Sequence, residues 1–300
     1  MKSYLFLPFL VFFSIYLQAQ DEGTSLLDLI EEEEITNYAS ASFKSTHIIN
    51  SQSIENVAAG VLDFRISHRF GRINSGVNNL YGLDQATIRL GFDYGITDRL
   101  MVGFGRSSVQ KALDGTVKFK ALRQSSGKKT MPISLSLFAS MAVNMLEWAD
   151  KERTNYNSSR LTYTYQILLG RKFSEGTSLM LMPTMVHRNL VESTSVKNDV
   201  YIVGIGGRQK LNKRLAITAE YYYVFPDQIA EIYKNSFSVG IDIETGGHVF
   251  QLQFTNSIGM IEKSFMTETT GDWANGDIHF GFNISRVFTI RDRNKIPTEN

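Results

Sequence analysis

The chain has 300 residues, room for one large domain or two ordinary ones, and its 31 Lys and Arg nearly cancel its 30 Asp and Glu. That balance, with no clustered basic patch, excludes a nucleic-acid partner on electrostatic grounds. No cysteine is present, which excludes disulfides, thiolate metal sites and a lipidated N-terminal cysteine.

Residues 1–20, MKSYLFLPFLVFFSIYLQAQ, combine a basic start, a short apolar core and small residues at a cleavage point. They read as a secretory signal peptide covering residues 1–19, cut after Ala19. The apolar core is shorter than the ~20 residues of a spanning helix. Residues 20–57 follow as an N-terminal segment. Its first part, DEGTSLLDLIEEEE, reads as a solvated acidic lead-in. Part of residues 38–57 alternates like a strand.

From residue 60 onward the chain predicts strands at 60–70, 86–96, 100–109, 115–124, 133–144, 161–173, 177–188, 199–211, 215–225, 235–245, 248–258 and 277–290. Each approaches the ~9–11 residues that a tilted strand needs to cross hydrocarbon. Soluble strands are shorter, at ~5–6 residues. Tight polar turns (TDR, SEG, NKR, TGG) alternate with longer connections, the layout of short periplasmic turns and long outer loops. The 125–132 turn is long for the short side, and the 110–114 loop is short for the long side.

The predicted fold is all-β: a transmembrane, antiparallel, up-and-down β-barrel of about twelve strands over residues 58–290, with a tail at 291–300. A thirteenth strand from residues 38–57 would break the even count usual in bacterial barrels. Either a further strand pairs with it, giving fourteen, or the segment folds into the lumen or sits across the periplasmic mouth; the second is the expectation.

The face assigned to lipid carries Leu62, Phe64, Ile66 and Phe70 on the first strand, Ile88, Leu90, Phe92 and Tyr94 on the second, and Phe280, Phe282 and Ile284 on the last. His68 shares the outward parity and fits it poorly. Aromatics fall near both expected interfaces: Phe70, Tyr163, Phe225 and Phe280 outside, and Tyr94, Phe173 and Phe288 inside. The opposite face offers the lumen candidates Asp63, Arg65, Arg69, Arg89, Asp93, Lys118, Lys120, Glu220, Asp242 and Glu244. Two readings of these charges stand side by side. They form a solute-selecting constriction, or they pair with one another and fill the lumen.

Three stretches, ISHRFGRINSG at 66–76, GLDQATIRLGFDYGITDRLMVGFGRSS at 82–108 and DGTVKFKALRQ at 114–124, together with STHIINSQSIE upstream, carry a further signal. They resemble an uncharacterised family of outer-membrane β-barrel proteins from Bacteroidota, known by a domain-of-unknown-function label. The resemblance runs from about residue 40 to the last strand. It implies a barrel and an outer-membrane address in a Gram-negative bacterium, and it supplies no activity.

Chemistry-bearing motifs are missing from the sequence. The five histidines make no His-Glu-x-x-His, no Cys-x-x-Cys-His can attach haem, and neither Gly-x-Ser-x-Gly nor a phosphate-cradling glycine loop occurs. The His-x-Ser spacing of outer-membrane phospholipases is also missing. No catalytic, cofactor-binding or metal-ligating residue is therefore assigned, and the protein reads as a non-enzyme. The leading expectation is a channel or facilitator for small polar or ionic solutes. The alternative is a structural or docking barrel for a periplasmic or surface partner of unknown identity; a lipid-modifying enzyme stands third. Expected partners are outer-membrane lipid, the barrel-insertion machinery and a small polar solute.

Overall fold

The computed structural model describes residues 35–148 and 150–291. The expected signal peptide, the acidic lead-in and nearly all of the C-terminal tail lie outside these residues. From Thr36 onward the described chain forms one unit.

Period-two alternation over residues 61–289 resolves into twelve long antiparallel strands. They are β2 (Val61–Arg72), β3 (Ala86–Gly95), β4 (Leu100–Ser107), β5 (Leu113–Leu122), β7 (Ser134–Val143), β8 (Leu161–Lys172), β9 (Thr177–Arg188), β10 (Asp199–Lys210), β11 (Leu215–Val224), β12 (Ser236–Thr245), β13 (His248–Thr255) and β14 (His279–Thr289). Each pairs with its neighbour in sequence, and β14 pairs with β2, closing the barrel with no free edge. The predicted strands all appear. The fourteen-strand alternative does not, because the two remaining strands, β1 (Thr36–Tyr38) and β6 (Ser125–Gly127), pair with each other outside the wall. This small sheet accounts for the long 125–132 connection.

One end of the barrel carries the tight turns. Thr97, Ser174 and Asn212 each accept N–H bonds from residues two and three positions on, so a side-chain oxygen closes the turn. Between β12 and β13 the register closes at Thr245↔His248 around Gly246 and Gly247, whose φ values of 41° and 150° exclude most side chains. The other end carries the long loops. Trp273 packs there on Phe237, with its Nε1 donating to the Phe237 carbonyl at 3.0 Å.

The wall is amphipathic as expected. On β2 the even residues are half-exposed to the outside, and Asp63, Arg65, Ser67 and Arg69 are buried inside. His68 lies between Phe70 and Phe282, stacked on the latter at 4.9 Å, so its ring joins an aromatic row on the outer wall.

The inner face departs from the expected polar lining. Leu168, Met180, Met182, Val186, Val200, Ile202 and Tyr222, on β8 to β11, point inward and are fully buried. They pack against two inserted segments. Residues 42–57 enter from the turn end. The β13–β14 loop enters from the other end, where the sequence indicated an external loop, and places helix α1 (Glu262–Thr267) inside with all six residues buried. β13 accordingly ends at Thr255 rather than 258. Phe265 and Met266 complete an apolar core with Phe43, Ile48, Ile49 and Ile54. Core and lumen are thus the same space.

Two outcomes follow from this architecture. Leu90, mid-strand on the outer wall, faces hydrocarbon; Leu90→Arg should cost about 2–4 kcal/mol in reversible unfolding from lipid vesicles. Glu262 responds to pH. Burial, then repulsion from Asp114, outweigh the attraction of Arg89 and push its carboxyl up to about 7. A raised acid contributes stability that is present below the ordinary carboxyl range and is lost as pH rises through about 7. Hydrogen exchange in residues 261–267 should therefore quicken across that window in the native chain, and Glu262→Gln should flatten the profile.

Candidate functional site

Residues 46–53, Thr-His-Ile-Ile-Asn-Ser-Gln-Ser, form a hairpin. Ser53 N donates to Thr46 O and Ile48 N to Ser51 O, each at 2.8 Å, and the His47 and Gln52 side chains meet at 2.9 Å. Turning the chain back so tightly leaves three successive N–H groups at the tip pointing the same way. They converge on Glu220: Ile49 N at 3.2 Å, Asn50 N at 2.9 Å and Ser51 N at 3.1 Å, with Ser51 Oγ at 2.6 Å. A carboxylate cradled by consecutive amides is a charge-assisted site.

The carbonyls at the hairpin base meet a cation. Lys118 Nζ donates to Thr46 O at 3.2 Å, Gln52 Oε1 at 3.0 Å, Ser53 O at 3.0 Å and Glu55 O at 2.7 Å. An ammonium has three N–H donors, so these four acceptors share them. Both residues are essentially inaccessible, at 0% exposure for Lys118 and 2% for Glu220. Isolated charges could not persist there; the hairpin's dipoles replace water.

The remaining sequence candidates also face inward, and most touch the inserted segment. The single Thr46 hydroxyl proton is directed at Asp93, 2.9 Å away, with Asp63 at 3.3 Å. Arg69 donates to Asn50 Oδ1 at 2.7 Å. Arg65 donates to Gln251 at 2.8 Å, and Gln251 in turn donates to the Ile48 carbonyl. Lys120 pairs with Glu55 at 3.5 Å, and Glu244 pairs with Lys44 at 2.6 Å. Asp242 accepts from Gln251 at 2.8 Å. Arg89 instead pairs within the wall, with Asp114. The ten residues therefore form one constellation, directed mainly at the chain's own N-terminal segment.

His47 lies 3.8 Å from Asp93 but is not a charged partner. Burial, reinforced by Arg65, Arg89 and Lys118, holds its imidazole well below the ordinary value and keeps it neutral.

Several participants escaped the sequence reading: Thr46, Asn50, Asp114, Gln251 and Asn283, whose Nδ2 donates to the Ile49 carbonyl at 3.0 Å. A usable signal was present in the glycines. Ile54 packs on Gly170 and Ile48 on Gly206, two inward positions where a Cβ would collide with the isoleucine, while at Gly240 a Cβ would first meet the Leu252 carbonyl, with Ile49 beside it. A glycine at an inward position of a long strand marks a close approach from within the lumen.

Comparisons place this geometry among known proteins. The model of the Membrane bound beta barrel domain family (DUF5777) matches residues 43–288. The match opens at Phe43, so it takes in the inserted segment with the wall. No curated protein matches the chain. Among solved structures, the NanC porin is 9% identical, with 76% of this chain and 98% of that one covered and a TM-score of 0.47. The KdgM porin is 10% identical, with 76% and 99% covered and a TM-score of 0.46. The COG4313 outer membrane channel from Pseudomonas putida F1 is 14% identical, with 78% and 98% covered and a TM-score of 0.45. These are distant likenesses in barrel architecture alone. The family match spans the whole wall and the hairpin within it, and the chain belongs to the family of membrane-bound β-barrel domains.

Proposed function

We propose that the protein is an outer-membrane conduit for small polar or ionic solutes, held shut by its own N-terminal hairpin. The observation that carries this reading is the way the hairpin is seated. Among the described residues it joins no strand of the wall, and its tip and base rest on Glu220 and Lys118. Polar contacts of this kind exchange readily for water once a path opens.

Withdrawal of the hairpin would uncover opposed charges. Lys118 and Lys120 stand on β5, and Asp242 and Glu244 on β12, six strands away in either direction around the ring. Glu220 stands beside β12. Cations facing carboxylates across a narrow passage select solutes by charge and dipole. The same residues would thus serve the closed state as ligands for the hairpin and the open state as the selective lining.

A second reading has its own support. The apolar packing of Phe43, Ile48, Ile49 and Ile54 against the wall and α1 suits a barrel that stays closed and acts as a membrane anchor for a partner. Conductance separates the two. Glu220→Gln weakens charge-assisted bonds of about 1.5–3 kcal/mol and should raise open probability in planar bilayers about tenfold or more. Asn50→Cys with Ser238→Cys, side chains that meet at 3.1 Å, should lock the hairpin. The native chain has no cysteine to compete, so reduction should restore conductance. In open channels Lys118→Ala should shift preference toward cations. If Glu220→Gln and the reduced double-cysteine protein are as silent as the oxidised form, the conduit reading fails. A stoichiometric partner in gently solubilised membranes would then support the anchor.

A further inference from the structure

A cavity of about 300 Å³ opens at the long-loop end of the barrel, away from the tight turns where the hairpin's segment enters. Its size suits a small molecule. Gln110 reaches it from the β4–β5 connection, Asn144 and Arg160 from the β7–β8 loop, Arg188 from the end of β9, and Lys263 and Glu268 from α1 and the residue after it. Thr162 and Arg188 also share the inward parity of their strands, so the cavity is an outer vestibule of the lumen.

The carboxylates around this cavity are already engaged. Glu268 pairs with Lys263 at 2.8 Å, Glu147 with Lys151 at 2.8 Å, and Glu192 accepts from the Tyr233 hydroxyl at 2.8 Å. Arg188 is buried, at 8% exposure, and among the described residues it forms no ion pair. Its Nη2 donates to the carbonyls of Lys197 at 2.6 Å and Gln228 at 3.4 Å, and its Nε has no partner. A buried guanidinium met only by neutral acceptors calls for an anion. Gln110 is the second unmet group. Its backbone sits at φ 56°, in the left-handed region that side chains rarely occupy, a kind of strain that clusters at binding sites. A carboxylate only accepts, so Glu268 fixes the Gln110 amide with Nε2 toward it, at 3.0 Å, and Oε1 turned away. That Oε1 is buried with no partner. A buried acceptor left unmet calls for a donor.

We propose that this vestibule is a binding site for a small hydroxylated carboxylate. The carboxylate accepts from Arg188, and a hydroxyl of the same molecule donates to Gln110 Oε1. A neutral sugar leaves the buried cation unmet, and a plain short-chain carboxylate leaves the amide oxygen unmet. The site is complete while the hairpin is seated, so it stands or falls separately from the conduit.

Equilibrium dialysis of radiolabelled gluconate, propionate and glucose against the full chain in detergent micelles, at constant ionic strength, tests the assignment. Gluconate should bind saturably, propionate about five- to tenfold more weakly, and glucose about ten- to a hundredfold more weakly, the factors that one neutral and one charge-assisted hydrogen bond supply. Arg188→Gln keeps a polar side chain without the charge and should weaken gluconate about ten- to a hundredfold. Gln110→Leu should weaken gluconate about five- to tenfold and leave propionate unchanged. Heat-modifiable gel mobility verifies that each variant is folded. The proposal is overturned if gluconate does not bind saturably, if glucose or propionate binds as tightly as gluconate, or if folded Arg188→Gln binds gluconate as the native chain does.

Discussion

Everything inside this barrel is arranged around one hairpin held between a carboxylate and an ammonium. Glu220 collects the amide protons of the tip, and Lys118 collects the carbonyls of the base. The two residues need the hairpin as much as it needs them. A carboxylate and an ammonium stripped of water are costly unless dipoles of the right sign surround them. The hairpin offers its N–H groups at one end and its carbonyls at the other, so a single short segment satisfies both walls. The glycine positions 170 and 206 then become intelligible as sockets for its isoleucines.

This arrangement changes what the inward charges mean. Each of them could be read as lining a water-filled pore. In the structure most of them are instead the ligands of a peptide, supplemented by amides such as Gln251 and Asn283, while Arg89 pairs with Asp114 in the wall. The apolar inner faces of β8 to β11 carry the same message, because a lumen filled by Phe43, Ile48, Ile54 and Phe265 requires greasy walls.

Much of the fold was legible because a membrane wall imposes period two over long strands. A register slip would turn Arg65 or Lys118 into lipid, so the alternation of β2 or β5 is strongly enforced. The inward parity of Asp63, Arg69, Asp93, Asp242 and Glu244 followed directly. What each charge touches was not legible, since Asn50 meets Arg69 and Ser238 through closure of the ring rather than through local pattern. The loop carrying α1 was read as external because its polar residues, Glu262, Lys263 and Thr267, look solvated in sequence. They are buried because Lys263 pairs with Glu268 at 2.8 Å and Thr267 bonds back to the helix. The inner hydrophobic faces were written in the sequence as well, in TSLMLMPTMV of β9, where both parities are apolar.

The position of the hairpin in the chain has a consequence for assembly. It precedes every strand of the wall, yet its contacts reach Glu220, 171 residues on, and Asn283, 234 residues on. Its bonds with the last strand can form only when β14 arrives, and that same strand meets β2 to complete the ring. Ring closure and hairpin seating are therefore coupled. The contacts of the hairpin with Asn283 and the pairing of β14 with β2 sit on the same strand, so seating and seam share one element.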